Sequence, residues 1–516
     1  MGPGSHGVGV GARYLPAHLT PPTMRLASLV IVLAFVAASA AAQPALPSPP
    51  SLNDFAQLGA AIAVDGDRAL VGAPGSDLLG DDVGAAYVYE RDAAGAWALA
   101  ATLTPSDGGT FDSPTGFFGV SVALDGDRAL VGAPRVFGAA YVYDFDGTDW
   151  VERARIEPPG EPSIPDFGEA VALDGDRAVV GAPDFLVMAN GLQYRPGGAW
   201  VYERLPNGLW AQTADLRVAA GSAPEVNGQF GGAVAIDGDR IVVADRTNDL
   251  GGAAFFLDYD GSAWALSNSL RPPPNAGGVV AAVDLDGDRA VFTASFGSSF
   301  RRAYFAETTD GTTWSVASEF APTFSGGYGA SVALDGGRAV VGAPGENRTG
   351  QGPTGALYTY AHNGGAWEST GDVTPNPLVV GNAFARRVAL RGTEILVGAP
   401  EAEVSGFTSA GQVLVTDGSF ATSAEPDAGP FGLALAAPMP NPARGAARLR
   451  LSASSPQPVR VSVHDLLGRE VAVAFDGTAN GEVEAVLDTR PLAVGLYVVR
   501  ARGRDGVVTR RLSVVR

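Results

Sequence analysis

Cysteine and lysine are both absent from this 516-residue chain. Without cysteine there is no disulfide and no thiolate metal site, yet a chain this long, 46% hydrophobic, can bury a large core unstapled. Without lysine, all 35 basic side chains are arginine. Histidine is scarce: of four, His6 and His18 lie in the N-terminal stretch and only His362 and His464 fall further on. No His-Glu-x-x-His pair, Gly-x-Ser-x-Gly elbow, phosphate loop or dinucleotide fingerprint occurs, which removes the usual routes to metalloprotease, esterase and nucleotide chemistry. A pair of carboxylates for glycosidic chemistry stays open, because their separation is unreadable from sequence.

Positive charge is also short in the body of the chain. From Gln43 to Gly429 there are 21 arginines against 48 acids, or −27; from Pro430 to Arg516 there are 12 against 7, or +5. An acidic body argues against nucleic acid as partner, since phosphate needs the opposite sign, and suits solubility. Long apolar runs are confined to one place. Met24-Arg-Leu-Ala-Ser-Leu-Val-Ile-Val-Leu-Ala-Phe-Val then small residues to Gln43 reads as a secretory signal peptide cleaved after Ala42, with Met24 a possible true start. The run is short for a spanning helix, so the mature chain is expected to carry no membrane segment.

What the chain has in abundance is repetition. Phe118-Gly-Val-Ser-Val-Ala-Leu-Asp-Gly-Asp-Arg-Ala-Leu-Val-Gly-Ala-Pro134 reads as two apolar strands around an Asp-Gly hairpin turn. Related turns stand at Asp65, Asp174, Asp237, Asp286, Asp335 and, degraded, Arg391, at spacings of 49 to 63 residues. Each unit adds a strand of the Ala-Tyr-Val-Tyr kind and most add another opening on tryptophan: Trp97, Trp150, Trp210, Trp264, Trp314 and Trp367. Four strands per roughly 50 residues is one propeller blade, and such blades bury their faces only against neighbours. The expectation is all-β: a seven-bladed β-propeller over residues 43–420. The seventh unit stops short of its fourth strand, so residues between Gln43 and Asp54 are expected to supply it.

Phe-Gly before the hairpin and Gly-Ala-Pro after it resemble the FG-GAP repeats that form the propeller of integrin α subunits and occur in many secreted bacterial proteins. The resemblance implies calcium in an Asp-rich loop between the first two strands. Here that loop has shrunk to Asp-Gly-Asp-Arg in most units, too short to wrap a hard cation. The fifth unit keeps the most, making Asp284, Asp286 and Asp288 the calcium candidates, against an ordinary turn. Two further acidic groups, Asp77 with Asp81 and Asp82, and Asp144 with Asp146 and Asp149, could gather oxygens or simply form solvated turns. The arginine after each turn (Arg68, Arg128, Arg177, Arg240, Arg289, Arg338) is expected to pair with a blade-edge carboxylate.

Residues 421–432 read as a linker, and residues 433–516 as a small β-sandwich of six or seven alternating strands. Pro440-Asn-Pro442, Val463-His-Asp-Leu-Leu-Gly-Arg-Glu-Val471, Leu492-Ala-Val-Gly-Leu-Tyr497 and a last strand ending at Arg516 resemble the type A C-terminal sorting domain of the type IX secretion system. That resemblance implies export, with the outer-membrane translocon as partner. The whole reads as a secreted or surface-displayed bacterial binding or adhesion propeller, whose ligand would be a surface glycan or matrix protein, and not an enzyme. A structural surface or matrix component is the alternative, and a carbohydrate-acting enzyme a third reading.

Overall fold

A computed structural model describes residues 44–514, apart from residues 81, 109–115, 135–137, 159, 161–163, 190, 220–227, 247–251, 273–277, 297–299, 323–325, 349–351, 376–380, 417–432, 436–444, 465–468 and 505–506. The expected leader, the 421–432 linker and Pro440-Asn-Pro442 lie outside the described residues. Nearly all regular structure is strand; one helical turn, Leu216–Ala219, is the exception among the described residues.

Seven consecutive antiparallel sheets follow the seven units. The first is representative. Ala61–Asp65 pairs with Arg68–Ala73 across Gly66, that strand with Ala85–Arg91, and that with Trp97–Leu103. Gly66 sits at φ 56 with open space around it, the left-handed conformation an Asp-Gly hairpin needs. The third sheet adds a hairpin, Val187–Ala189 with Leu192–Tyr194, in the loop between its second and third strands. The innermost strand of each sheet packs against that of the next, and the seventh (Arg387–Arg391) against the first, so the sheets form a closed ring.

The ring closes with strand exchange between the chain's ends. The seventh sheet has three strands, Arg387–Arg391, Glu394–Ala399 and Gln412–Thr416. Its outer edge is covered by the N-terminal segment: Leu46 N donates to Val413 O (2.9 Å), and Val415 N donates to Pro44 O (2.8 Å). Leu46 is buried there, and Tyr89 Oη donates to Pro47 O.

The motif residues explain themselves at the sheet junctions. A Cβ placed on Gly72 would lie 1.8 Å from the Gly119 carbonyl oxygen of the next sheet; Gly132 and Gly398 meet the same obstacle from Gly168 and Gly59. Glycine is therefore required at these three junctions, where adjacent backbones touch. In the fifth sheet Thr293 stands at this position, and its hydroxyl instead donates to Gly329 O (2.7 Å). The aromatic partner is core. Phe118, Phe167 and Phe230 are fully buried, and Phe118 lies edge-on to Tyr141 at 5.4 Å. Each such ring contributes about 1.5–3 kcal/mol by burial.

In the tail, the expected separate strands merge. Ala446–His464 and Glu470–Asp488 are two long partners with a register break between Ala453 and Gln457, joined by Leu433–Leu435, Gly495–Arg502 and Val507–Val514. Five strands thus replace the six or seven expected, because the chain crosses the break without leaving extended conformation. Both halves of the long pair feed one core that includes Leu449, Leu451, Val461, Leu487 and Leu512.

Candidate functional site

The hairpin turns between first and second strands define one face of the ring, and their charged residues form a lattice linking neighbouring sheets. The first Asp of each turn accepts a backbone bond from the glycine of the next turn: Gly126 N to Asp65 Oδ2 (2.8 Å), Gly175 N to Asp125 Oδ2 (2.6 Å), and so on through Gly392 N to Asp335 Oδ2. The arginine spans the same junction. Arg128 Nε donates to Asp144 of its own sheet (2.7 Å), while its Nη1 donates to Gly175 O (2.6 Å) and Asp176 (2.7 Å) of the next. Its guanidinium also lies over the Trp210 ring of that next sheet, 5.4 Å from the centroid. Arg68 over Trp150, Arg177 over Trp264 and Arg240 over Trp314 repeat this. Five of the six arginines find the expected edge carboxylate, whereas Arg338 donates to Gly392 O (2.8 Å); the recurring tryptophan is also a platform across the junction, each cation–ring contact worth about 0.5–1 kcal/mol.

At three junctions the pattern changes: between the sixth and seventh sheets Thr393 replaces the second Asp and Arg338 keeps only Gly392 O among the described residues. Between the fifth and sixth sheets Gly337 replaces the second Asp; there Arg289 meets His362, whose Nε2 lies 3.2 Å from Glu307, and Trp367 Nε1 donates to Glu307 (2.8 Å). At the closing junction the charges are inverted. Arg391 replaces Asp and pairs with Asp65 of the first sheet (3.2 Å), while Glu394 replaces Arg and accepts from Arg91 (3.0 Å) and Trp97 Nε1 (3.2 Å). The degraded seventh unit is therefore complementary to the first.

This lattice holds the calcium candidates apart. Asp288 accepts from Arg240 of the fourth sheet, and Asp286 from Gly336 N of the sixth. Asp284 accepts from Leu285 N (2.9 Å) and, across the junction, Leu334 N (2.7 Å); burial, and then the charges of Asp286 and Asp335, push its carboxyl up to about 7 despite those bonds. The other acidic groups behave as turns: Asp146 Oδ1 accepts Thr148 N and Asp149 N, Asp144 pairs with Arg128, and Asp77 binds Asn53 and Asp82 N, with Asp81 outside the described residues. Among the described residues no group of three or more metal-ligating side chains is gathered.

The opposite face carries the loops, and here side chains point outward. The residue before the buried motif side chain has left-handed backbone, and in five units it is not glycine: Gln57 (before Leu58), Phe117, Asp166, Gln229 and Ala383 lie at φ 53 to 65, while Gly327 stands before Tyr328. Its amide is held by the preceding sheet, as in Phe117 N to Asp82 O (3.1 Å), so the backbone is constant while the side chain varies. Large apolar side chains are exposed along this face from the seventh sheet to the third: Phe407, Phe55 (59% exposed), Leu78, Leu79, Phe117 and Met188. Beside them Asp166, facing Asp184, is raised to about 6 by burial first and then by its carboxylate neighbours.

Inside the ring, the innermost strands line a cavity of about 210 Å³. Its wall is mostly alanine and valine, but Glu169, Arg246 and Arg387 enter it. Sequence reading missed these three, although each breaks the repeat: Glu169 stands where most units have Ala, Val or Gly (and the seventh Arg386), Arg387 where the others have Ala or Ser, and Arg246 at the proline of Gly-Ala-Pro.

The family described as FG-GAP repeat matches residues 53–89 and 97–143, and the one described as secretion system C-terminal sorting domain matches residues 439–515. The chain carries FG-GAP repeats and a type IX sorting tail. No curated protein matches it. Solved structures similar to it include a chain of a mitotic checkpoint complex (14% identical, TM-score 0.44, covering 78% of this chain and 98% of that one). Sqt1 from Saccharomyces cerevisiae is similar at 10% identity and TM-score 0.38, covering 93% and 99%. A putative 6-phosphogluconolactonase from Bacteroides uniformis is similar at 11% identity and TM-score 0.43, covering 61% and 85%. The sorting tail makes this a protein for export, interacting with the type IX machinery and destined for the medium or the outer surface. No described helix is long and apolar enough to cross a membrane.

Proposed function

We propose that this FG-GAP chain is an exported, non-enzymatic binding or adhesion module that engages a surface glycan or matrix protein through the loop face of its seventh, first, second and third sheets. The supporting observation is the placement of exposed apolar side chains. Phe407, Phe55, Leu78, Leu79 and Phe117 cluster on adjacent loops of one face, whereas the turn face engages its charges in the lattice. Exposed aromatics held on a rigid scaffold supply contact area at low entropic cost, and loops are where such surfaces sit. Asn53, Asp77 and Asp82 form a hydrogen-bonded polar group between Phe55 and Phe117, the mix of ring and polar donor that a sugar or peptide requires. The test is the mature chain on glycan and matrix-protein arrays, with calcium and then chelator, beside F55S/F117S and the opposite-face control L205S/L209S. A selective signal lost in the first variant and kept in the control is expected. No selective signal, with self-association instead, would favour the structural reading.

A further inference from the structure

The channel collects charge for which the repeat has no use. Arg246 Nη2 donates to Gly232 O (2.7 Å) and lies 3.6 Å from Glu169. Arg387 donates to the Arg386 carbonyl (3.1 Å), and among the described residues no carboxylate lies within ion-pair distance of it. Its surroundings add repulsion: desolvation first, then the charges of Arg386 and Arg246 against Glu169, hold it down at about 10. It is still a cation at neutral pH. Two guanidiniums thus face one carboxylate inside low-dielectric walls, in a chain whose net charge is −20.

We propose that the loop-face end of the channel binds the carboxylate of a small organic anion, with Arg387 and Arg246 as its partners and the alanine–valine wall around its body. A cation surplus confined in an apolar cavity focuses a positive potential there and is relieved by an anion that enters. The planar guanidinium fork matches the two oxygens of a carboxylate. The cavity, about 210 Å³, fits an acid about the size of one sugar ring, and the aliphatic lining favours an organic body over a fully hydrated inorganic ion. Three elements converge to make the site: Glu169 immediately precedes the inner strand of the third sheet, Arg246 follows the second strand of the fourth, and Arg387 opens the inner strand of the seventh. It is independent of the loop-face reading, since it would fill in a chain whose exposed aromatics bound nothing.

The experiment is calorimetric titration of the mature full chain with sodium acetate, succinate, glucuronate, a tetra-uronide and sulfate, at ionic strength matched with chloride. Saturable one-to-one binding of carboxylates is expected. Arg387→Lys, which keeps the charge and loses the fork, should weaken it about tenfold or more, and R246Q/R387Q should abolish it. Arg490→Gln, at an exposed side chain of the tail, should leave it nearly unchanged. Binding of glucuronate alone would mark a free acid as the source, and tighter binding of the tetra-uronide an acidic glycan; both support the site. No saturable heat with any carboxylate, binding undiminished in folded R387K, or binding of sulfate alone would overturn it.

Discussion

Asp284 shows how a single residue looks like a ligand in sequence and acts as a strut in space. Its carboxylate caps the Leu334 amide of the neighbouring innermost strand. Because folding raises its pKa from the ordinary carboxylate range to about 7, first through burial, the folded chain holds that proton more tightly than the unfolded one. Its contribution to stability is therefore full below about pH 4 and is lost as pH rises through about 7. Denaturation midpoints measured from pH 4 to 8 should fall across that window, and Asp284→Asn should flatten this part of the slope. An unchanged slope in the variant would show that the carboxyl does not titrate there. The three Asp of the fifth turn were legible as acids on a tight hairpin, but not as partners of the two flanking sheets, because alternation along a strand says which face a side chain takes and not what stands opposite.

At the scale of the element, hairpins, strand order and the glycines were readable, since each depends on residues near in sequence: an Asp-Gly pair, a run of β-branched residues, a tyrosine stripe. The N-terminal strand was legible only as a deficit, the missing fourth strand of the seventh unit. Its pairing with Gln412–Thr416 follows from ring closure, which leaves that edge open unless the other chain end covers it. A chain beginning at Ser48 should lose about 2–4 kcal/mol of stability, the burial of Leu46 plus two strand hydrogen bonds. Guanidinium unfolding followed by tryptophan fluorescence would measure it, and a midpoint equal to that of a chain beginning at Gln43 would count against closure by this strand. The degraded Arg391 and Glu394 belong to the same device. They look like erosion of the repeat and are the complementary half of a junction with Asp65 and Arg91.

For the whole molecule, the acidic ring and the basic tail are separate in chemistry as well as in sequence. The tail's own core, built on Leu449, Val461, Val499 and Leu512, needs nothing from the repeats to explain it. Residues 430–516 fused to a reporter, in a host with the type IX system, should therefore deliver that reporter to the medium or the cell surface; fractionation checks this, and a reporter held in the periplasm would remove the sorting role. Much of this scale was decided by the sequence alone. Seven periods of strand and turn signals, with the tail's motifs in order, determine an all-β ring and an export domain, because periodicity and turn chemistry are local. What only the tertiary structure decided is which charges meet. The arginine–tryptophan stacking arises because each sheet packs on the next, and the convergence of Glu169, Arg246 and Arg387 in one cavity arises because ring closure brings the third, fourth and seventh sheets to one axis.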